Sequence, residues 1–324
     1  MRWHRRAVAD RSGEAPADLT TRIGSVTLPN PVMTASGTAG HGTELQPYLD
    51  LAGLGAVVVK SLAAFPWAGN PAPRLHPTTA GMLNAVGLQG PGVAAWLEDD
   101  LPPLLRTGAR VVASIWGRSV EEYRAAADQL ALAPSDVVAV EVNLSCPNLE
   151  DRRHMFAHSP EATRAAMEAT AGCRRPRWAK LSPTTPELPD VAAAARDGGA
   201  EAVTLVNTLL GMVLDASTGR PVLGRGGGGL SGPAILPVAV RAVFDVRAAH
   251  PDLPIVGVGG VAGGSDAAQL LLAGAHGVQV GTATFADPRA PAHVLRELEL
   301  WLSRRTPPSI RDNVGAAHRR ESHR

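Results

Sequence analysis

One thiol in the sequence stands among carboxamide side chains. Residues 143–148 read Asn-Leu-Ser-Cys-Pro-Asn and follow an apolar run at 137–142, which predicts a buried strand ending at Asn143. Because thiol reactivity depends strongly on the groups around the sulfur, we interpret Cys146 as a reacting thiol; the alternative is a buried structural cysteine. The nearest histidines lie in a charged stretch typical of a solvated loop. This favours a general base over a nucleophile.

Two lysines and two pairs of small residues end other apolar segments. Lys60 and Lys180 each close such a segment, where an unpaired lysine would be costly to bury. We interpret both as ligand-binding cations, the alternative being solvated lysines at a rim. Residues 259–260 (Gly-Gly) and 281–282 (Gly-Thr) close two later segments, and the loop at 226–232 is rich in glycine. Backbone without a Cβ atom approaches a ligand closely and binds anions through its N–H groups, which predicts a phosphate site.

The elements that must position these residues alternate regularly. Short apolar, β-branched runs alternate with Ala- and Leu-rich segments of helical period, which is typical of βα units around a parallel sheet. The α/β pattern favours one (β/α)8 TIM barrel over a doubly wound sheet, with a hairpin at 21–28 beneath it. The predicted barrel strands are 32–35, 56–60, 111–115, 138–143, 178–180, 202–206, 255–258 and 277–280. In such barrels the reacting groups lie at the carboxyl ends of the strands, which is where these thiol, lysine and glycine residues fall.

The chain has 324 residues and a formal net charge of +1. We predict a flexible N-terminal arm at 1–18, a single barrel domain at 19–305 and a disordered tail at 306–324, which is rich in Pro, Arg and His. The small net charge does not indicate binding to nucleic acid or to an anionic membrane. Two cysteines cannot supply an iron–sulfur cluster or an ordinary zinc site, so we expect no metal. No apolar run reaches the ~18 residues of a membrane span, so we expect a cytoplasmic protein.

Five motifs occur in order along the chain. They are Ala-Ser-Gly-Thr at 35–38, Gly-Met-Leu-Asn-Ala-Val-Gly-Leu-Gln at 81–89, the segment at 143–148, Lys-Leu-Ser-Pro at 180–183 and Gly-Gly-Leu-Ser-Gly-Pro at 228–233. Together they resemble dihydroorotate dehydrogenase, a family of FMN enzymes of pyrimidine synthesis, over about residues 28–288. A thiol at Cys146 is similar to the soluble class 1. The segment at 84–89 looks more like the NAD-linked 1B branch than the fumarate-using 1A branch.

The resemblance implies a role for each matching residue. Cys146 would remove the proton from C5 of dihydroorotate while the C6 hydride leaves for N5 of FMN, giving orotate. The implied FMN contacts are Ser36, Lys60, Ser61, Ser114, Asn143, Lys180, Val206, Gly232, Gly259, Gly260, Gly281 and Thr282. The implied substrate contacts are Lys60, Asn84, Ala85, Val86, Gly87, Leu88, Asn143, Asn207 and Thr208. Lysine charge suits the N1/O2 region of a reduced flavin.

The resemblance also implies partners. The 1B branch suggests a separate iron–sulfur flavoprotein, carrying FAD and a [2Fe-2S] cluster, that passes electrons to NAD from a homodimeric core of this chain. The sequence has neither a dinucleotide-binding G-x-G-x-x-G after an N-terminal strand nor enough cysteines for a cluster. Three features depart from the family pattern: Gly90 replaces an Asn usual in 1B, Trp116 replaces a small residue, and the loop at 149–159 lacks an expected glycine pair.

Three other functions are compatible with the same residues. One is a related FMN barrel that acts on another dihydropyrimidine, for which a contact between Lys60 and a substrate carboxylate is the distinguishing feature. The second is a catalytically inert flavin-binding assembly subunit, against which the intact Cys146 and both lysines argue. The third is a phosphate-binding aldolase or isomerase barrel that binds no flavin.

Overall fold

The computed structural model describes residues 17–145 and 155–319. Cys146 and most of the loop at 149–159 therefore lie outside the described residues. The strands of the described part are β1 (Thr21–Ile23), β2 (Val26–Leu28), β3 (Val32–Thr34), β4 (Val57–Val58), β5 (Leu75–Thr78), β6 (Gly81–Asn84), β7 (Val111–Ile115), β8 (Val137–Asn143), β9 (Arg177–Lys180), β10 (Ala202–Leu205), β11 (Leu209–Gly211), β12 (Gly228–Ser231), β13 (Ile255–Val258) and β14 (Gly277–Val280).

Eight parallel strands form the barrel that the sequence predicts. Their order is β3-β14-β13-β10-β9-β8-β7-β4, and each overlaps its predicted range. A bridge between Met33 and Ala56 and a hydrogen bond from Gly55 N to Val32 O, 2.8 Å long, join β3 to β4. The sheet therefore closes on itself and leaves no unpaired edge. The (β/α)8 prediction is confirmed.

Helices cover the outside of the barrel. Each strand can be apolar on both faces, because one face meets a helix and the other fills the barrel interior. Ser119 begins one of these helices by accepting a hydrogen bond from Glu122 N, which satisfies a free amide of the first turn. The α-helices are Val93–Ala95, Leu101–Arg106, Val120–Leu130, Pro160–Ala169, Leu188–Asp197, Leu236–Ala249, Gly264–Ala273, Ala283–Ala286, Ala290–Leu302 and Ile310–Asn313. Shorter turns are the π-helix Trp96–Asp100 and the 3-10 helices Phe156–His158, Thr170–Cys173, Pro233–Ile235 and Ala316–His318.

The predicted hairpin is present at the amino end of the barrel. Strands β1 and β2 pair antiparallel, with Thr21 opposite Leu28. Their inward side chains Ile23 and Leu28 are buried in one cluster with Met33 and Trp178 from the barrel. Apolar burial of this kind stabilises by about 25 cal/mol per Å². The hairpin therefore seals the end of the barrel opposite the strand ends that hold the lysines.

A second sheet, which the sequence analysis did not predict, lies at the other end. We call the antiparallel strands β5, β6, β11 and β12 the cover sheet; their order is β11-β12-β6-β5. Leu75 pairs with Asn84, Asn84 with Gly229, and Gly229 with Leu210, so these four residues form one row across the sheet. Side chains of one row in a sheet point to the same face.

The described part of the C-terminal segment differs from the predicted disordered tail. Residues 306–319 contain a short helix, Ile310–Asn313, and Ile310 is fully buried. Asp18 N donates to Pro308 O (2.8 Å) and Ile310 N donates to Asp18 O (2.9 Å). His318 stacks on Phe244 with ring centroids 4.0 Å apart. One apolar anchor and a few backbone bonds order the segment despite its polar composition.

Two further sequence expectations concern membranes and metals. Across residues 17–145 and 155–319, no helix is long and apolar enough to cross a bilayer. Within the same ranges, no group of three or more His, Cys, Asp and Glu side chains is arranged to hold a metal ion.

Candidate active site

A cavity of about 380 Å³ lies at the carboxyl ends of the barrel strands. Barrel enzymes carry their reacting groups at this end. The predicted contact residues that line the cavity are Ser36, Lys60, Ser61, Asn84, Ala85, Val86, Gly87, Leu88, Asn143, Lys180, Val206, Asn207, Thr208, Gly232, Gly259, Gly260, Gly281 and Thr282. The fold therefore brings to one place residues that are spread over most of the chain.

Two predicted residues are not among those lining the cavity. Ser114 is fully buried on β7, and its Oγ lies 2.8 Å from Oγ of Ser61, so it reaches the cavity only through that serine. Cys146 lies outside the described residues. Ser145, the residue immediately before it, lines the cavity. The described chain therefore reaches the cavity lining at the residue directly before the thiol in sequence.

The cover sheet forms the second wall of the cavity. Leu75, Asn84, Gly229 and Leu210 of one row all line it, and so do Met82 and Ser231 of the next row on the same face. Residues two apart on a strand point to the same side, which explains this grouping. The opposite face contributes Leu83, which is buried in a separate small cluster. The cover sheet therefore presents both apolar positions (Leu75, Met82, Leu210) and polar or glycine positions (Asn84, Gly229, Ser231) to the cavity.

Glycines with positive φ bring the backbone close to the cavity at three of the predicted phosphate positions. Gly259 and Gly260 have φ of 132° and 77°, and Gly232 has φ of 96°. A Cβ atom added to Gly260 would lie 2.6 Å from Cβ of Leu236. Only glycine adopts these conformations without strain, and it leaves the N–H groups accessible to a ligand. At these three positions the predicted phosphate residues therefore line the cavity with backbone and no side chain.

The two cavity lysines have different surroundings. Burial, together with the nearby positive charge of Arg74, lowers the pKa of Lys60 from its usual value. Lys180 instead lies 3.4 Å from the Glu141 carboxylate, and both side chains are almost completely buried. Its Nζ also donates to Oγ of Ser36 at 3.0 Å. The ammonium of Lys60 is therefore desolvated and close to another positive charge, whereas Lys180 is fixed as one member of an ion pair.

The amide side chains form a connected network. Asn143 Nδ2 donates to Ser61 Oγ at 3.3 Å, and its Oδ1 accepts from Asn207 Nδ2 at 3.2 Å. The Oδ1 of Asn207 accepts from Thr208 N at 2.7 Å. Tyr123 OH donates to the Asn143 carbonyl at 2.6 Å. These bonds fix the orientation of the Asn143 and Asn207 amides at the cavity.

Sequence reasoning missed several residues of the site. Glu141 was treated as part of an apolar run, although a charged residue inside such a run is itself a signal of a special role. Arg225 and the half-exposed Phe285 line the cavity without belonging to a predicted set. The cover-sheet residues Leu75 and Leu210 could not be predicted, because the pairing that brings them there links strands far apart in sequence.

Two departures from the family pattern have a structural setting. A Cβ atom at Gly90 would lie 3.1 Å from Nε2 of His41, so a larger residue there would require His41 to move. Trp116 is 3% exposed and packs edge-on against Phe65 and Trp67, with ring centroids 6.2 Å apart in both pairs. Trp116 therefore fills an aromatic cluster beside β7 and is not part of the cavity lining.

The second cysteine has no place in the site. Cys173 ends the 3-10 helix Thr170–Cys173 and is completely buried. Burial raises the pKa of its thiol, which makes the reactive thiolate scarce. Cys173 therefore serves as an internal comparison for Cys146.

Comparison with known proteins gives a consistent result. A family model for dihydroorotate dehydrogenase matches residues 18–302. A Desulforudis audaxviator protein named "Dihydroorotate dehydrogenase B (NAD(+)), catalytic subunit" is 48% identical over 298 residues, which cover 92% of this chain and 96% of that protein. Proteins of the same name from Geobacter sulfurreducens and Alkaliphilus oremlandii are both 43% identical, covering 92% of this chain and 98% of theirs.

The matched region contains the whole barrel, the cover sheet and every residue of the cavity lining. The relatives carry the B-type name that the thiol at Cys146 and the segment at 84–89 predicted. This chain belongs to the dihydroorotate dehydrogenase family, in its class 1B branch of catalytic subunits.

Proposed function

We propose that this chain oxidises dihydroorotate to orotate in pyrimidine synthesis, with FMN as its cofactor. The observation that carries the proposal is the cavity itself. Two lysines, a connected amide network and three positive-φ glycines line one space at the strand ends, and the chain enters that space directly before Cys146. The relatives named "Dihydroorotate dehydrogenase B (NAD(+)), catalytic subunit" also support the proposal.

The residues of the cavity fit FMN. Gly232, Gly259 and Gly260 line the cavity with positive φ and no side chain, so their backbone can approach a phosphate and donate N–H groups to it. Lys180, fixed by Ser36 and Glu141, is a cation suited to the electron-rich edge of a reduced flavin. We propose that the other predicted FMN contacts also bind the cofactor. Ser114 would act indirectly, through its hydrogen bond with Ser61.

The substrate side of the cavity fits an anionic dihydropyrimidine. Lys60 binds the carboxylate, and the amides of Asn84, Asn143 and Asn207 orient the ring carbonyl and N–H groups. Cys146, as a thiolate, removes the proton from C5 and becomes a thiol. The C6 hydride would leave the substrate, and bound FMN would supply the acceptor for it. Loss of the proton and the hydride turns the C5–C6 single bond into the double bond of orotate.

A partner chain completes the proposed function. The B-type relatives are named as catalytic subunits linked to NAD(+), which implies a further subunit for electron transfer. We propose an iron–sulfur flavoprotein with FAD and a [2Fe-2S] cluster, bound to a homodimer of this chain.

An anaerobic flavin reduction assay tests the function. The purified chain, loaded with FMN, is mixed with dihydroorotate or dihydrouracil, and the oxidised-flavin absorbance is followed. We expect bleaching by dihydroorotate and none by dihydrouracil. A matched control is Lys60→Met, which we expect to lose bleaching by dihydroorotate and to keep bleaching by dithionite.

The other outcomes identify the alternatives. Bleaching by dihydrouracil alone would show a related barrel with another substrate. Yellow protein that no dihydropyrimidine reduces, with or without a partner, would show an inert assembly subunit. Colourless protein that rejects added FMN would overturn both flavin functions and favour a phosphate-binding aldolase or isomerase.

A further inference from the structure

The barrel interior contains a buried carboxylate to which the proposed reaction gives no role. Glu141 lies on β8, two residues before Asn143, so both side chains point into the barrel. Asn143 lines the cavity and pairs with Lys180 across the sheet. Glu141 therefore lies one layer below the cavity floor, and its side chain is 0% exposed.

The carboxylate is held on one side and directed at Lys180 on the other. Its Oε2 accepts from Thr204 Oγ1 at 3.1 Å and from Gln279 Nε2 at 2.6 Å. Its Oε1 has no hydrogen-bond partner among the described residues and lies 3.4 Å from Nζ of Lys180. Side chains from β10 and β14 thus prevent the carboxylate from turning away. The other carboxylate oxygen, Oε1, faces Lys180.

Stability alone does not account for this arrangement. Removing two charges from water is expensive, and replacing a buried ion pair by apolar residues is often neutral or stabilising. The rest of this interior layer could be filled by Val or Leu, as most of the barrel is. The pair instead ends at the cavity, because Nζ of Lys180 also reaches Oγ of Ser36, which lines it.

We propose that Glu141 is a positioning residue that fixes Lys180 beneath the flavin and offsets its positive charge, and thereby sets the reduction potential of the bound FMN. This inference rests on the proposed function only in assuming that FMN occupies the cavity. Reduction adds negative charge to the flavin. An ammonium whose charge is offset favours that charge less than a free ammonium does, so Glu141 keeps the potential lower and the electrons easier to pass on.

The test is the midpoint potential of the FMN-loaded Glu141→Gln variant, measured against a redox dye. Gln removes the charge and keeps the shape. At a fixed solution potential near neutral pH, we expect the ratio of reduced to oxidised flavin to rise about tenfold, for one charge within several ångströms. This ratio corresponds to about 30 mV for a two-electron couple. An unchanged or lower potential would overturn the inference.

Two further variants separate this role from a structural one. Thr204→Val removes one hydrogen bond to the same carboxylate and keeps its charge, so we expect a much smaller shift in potential. An equal shift in both variants would show that only barrel packing matters, against the inference. If Glu141→Gln does not fold, Glu141→Asp keeps the charge but withdraws it by one methylene. We then expect a smaller rise, and its absence counts against the inference.

The measurement is independent of dihydroorotate. Wild-type protein that binds FMN but is not reduced by dihydroorotate refutes the proposed function, while the potentials of the variants still judge the role of Glu141. Wild-type protein that binds no FMN refutes both. The two failures are therefore distinguished by the wild-type protein alone.

Discussion

Lys60 and Lys180 show how two residues of one type acquire different properties within one cavity. Lys180 has a carboxylate at 3.4 Å, and its charge is matched inside the protein. Lys60 is desolvated and lies near Arg74, and both effects lower its pKa. An anionic ligand is therefore the natural counter-charge for Lys60. Its affinity for that ligand must depend on pH.

The first prediction concerns the pH dependence of product binding. In the proposed function the charged form of Lys60 binds the carboxylate, and the pKa of Lys60 in the free protein is below the usual 10.5. As pH rises through that lowered pKa, the lysine loses its proton, so orotate affinity falls at a lower pH than an ordinary lysine would allow. Flavin absorbance titrations with orotate from neutral to alkaline pH measure this. Lys60→Arg keeps its charge throughout, so we expect a flat profile, and a wild-type profile as flat as that of the variant would contradict the assignment.

The second prediction concerns Cys146. A hydroxyl is harder to deprotonate than a thiol of pKa ~8.5, so Cys146→Ser should retain weak activity with an optimum at higher pH. The loss at neutral pH should be about 100-fold or more, the size of a general-base contribution. Steady-state rates across pH measure both effects. Cys173→Ala is the matched control and should leave the pH profile unchanged, since Cys173 is buried away from the cavity. Equal activity of Cys146→Ser and wild type would exclude Cys146 as the base.

At the scale of elements, the sequence predicts the barrel well and the cover sheet poorly. Strands such as β7 and β8 are runs of apolar residues because both of their faces are buried, and such runs are visible in a single sequence. Strands β5 (Leu-His-Pro-Thr) and β12 (Gly-Gly-Leu-Ser) carry no such pattern. Partners far along the chain determine their pairing. Strand-end residues were therefore predictable, and the opposite wall of the cavity was not.

The third prediction concerns the glycine surface at the end of β13. In Gly260→Ala, a φ of +77° and a Cβ atom 2.6 Å from that of Leu236 force the backbone to shift. We expect FMN affinity to fall more than tenfold, because the N–H groups move with the backbone. Gly219→Ala is the control, since its φ is +68°, no atom lies within 4 Å of the new Cβ, and it is outside the cavity lining. Fluorescence titration with FMN compares the FMN affinities of the two variants. An equal loss in both would mean that backbone strain alone, and not the glycine surface at the end of β13, governs binding.

At the scale of the whole molecule, the N-terminal and C-terminal segments that flank the barrel contact each other. Asp18 exchanges backbone hydrogen bonds with Pro308 and Ile310, and Gly315 N donates to Leu271 O at 2.9 Å. Composition predicted a disordered tail because average polarity gives no weight to a single anchor. Ile310 is that anchor, since it is completely buried against the barrel helices. The C-terminal segment therefore contributes to the stability of the domain whose active site it does not touch.

The last prediction tests this contribution. Ile310→Ala removes a fully buried aliphatic side chain, which should lower the free energy of unfolding by about 3 kcal/mol. Leu300→Ala is the matched control, because Leu300 is 54% exposed and its truncation should change stability by less than about 0.5 kcal/mol. Thermal and urea unfolding of the FMN-loaded proteins measure both, with FMN held at the same excess since a bound ligand adds stability. Deleting residues 306–324 should destabilise at least as much as Ile310→Ala. If the deletion variant and the wild type had the same free energy of unfolding, the C-terminal segment would not contribute to stability, which would contradict this prediction.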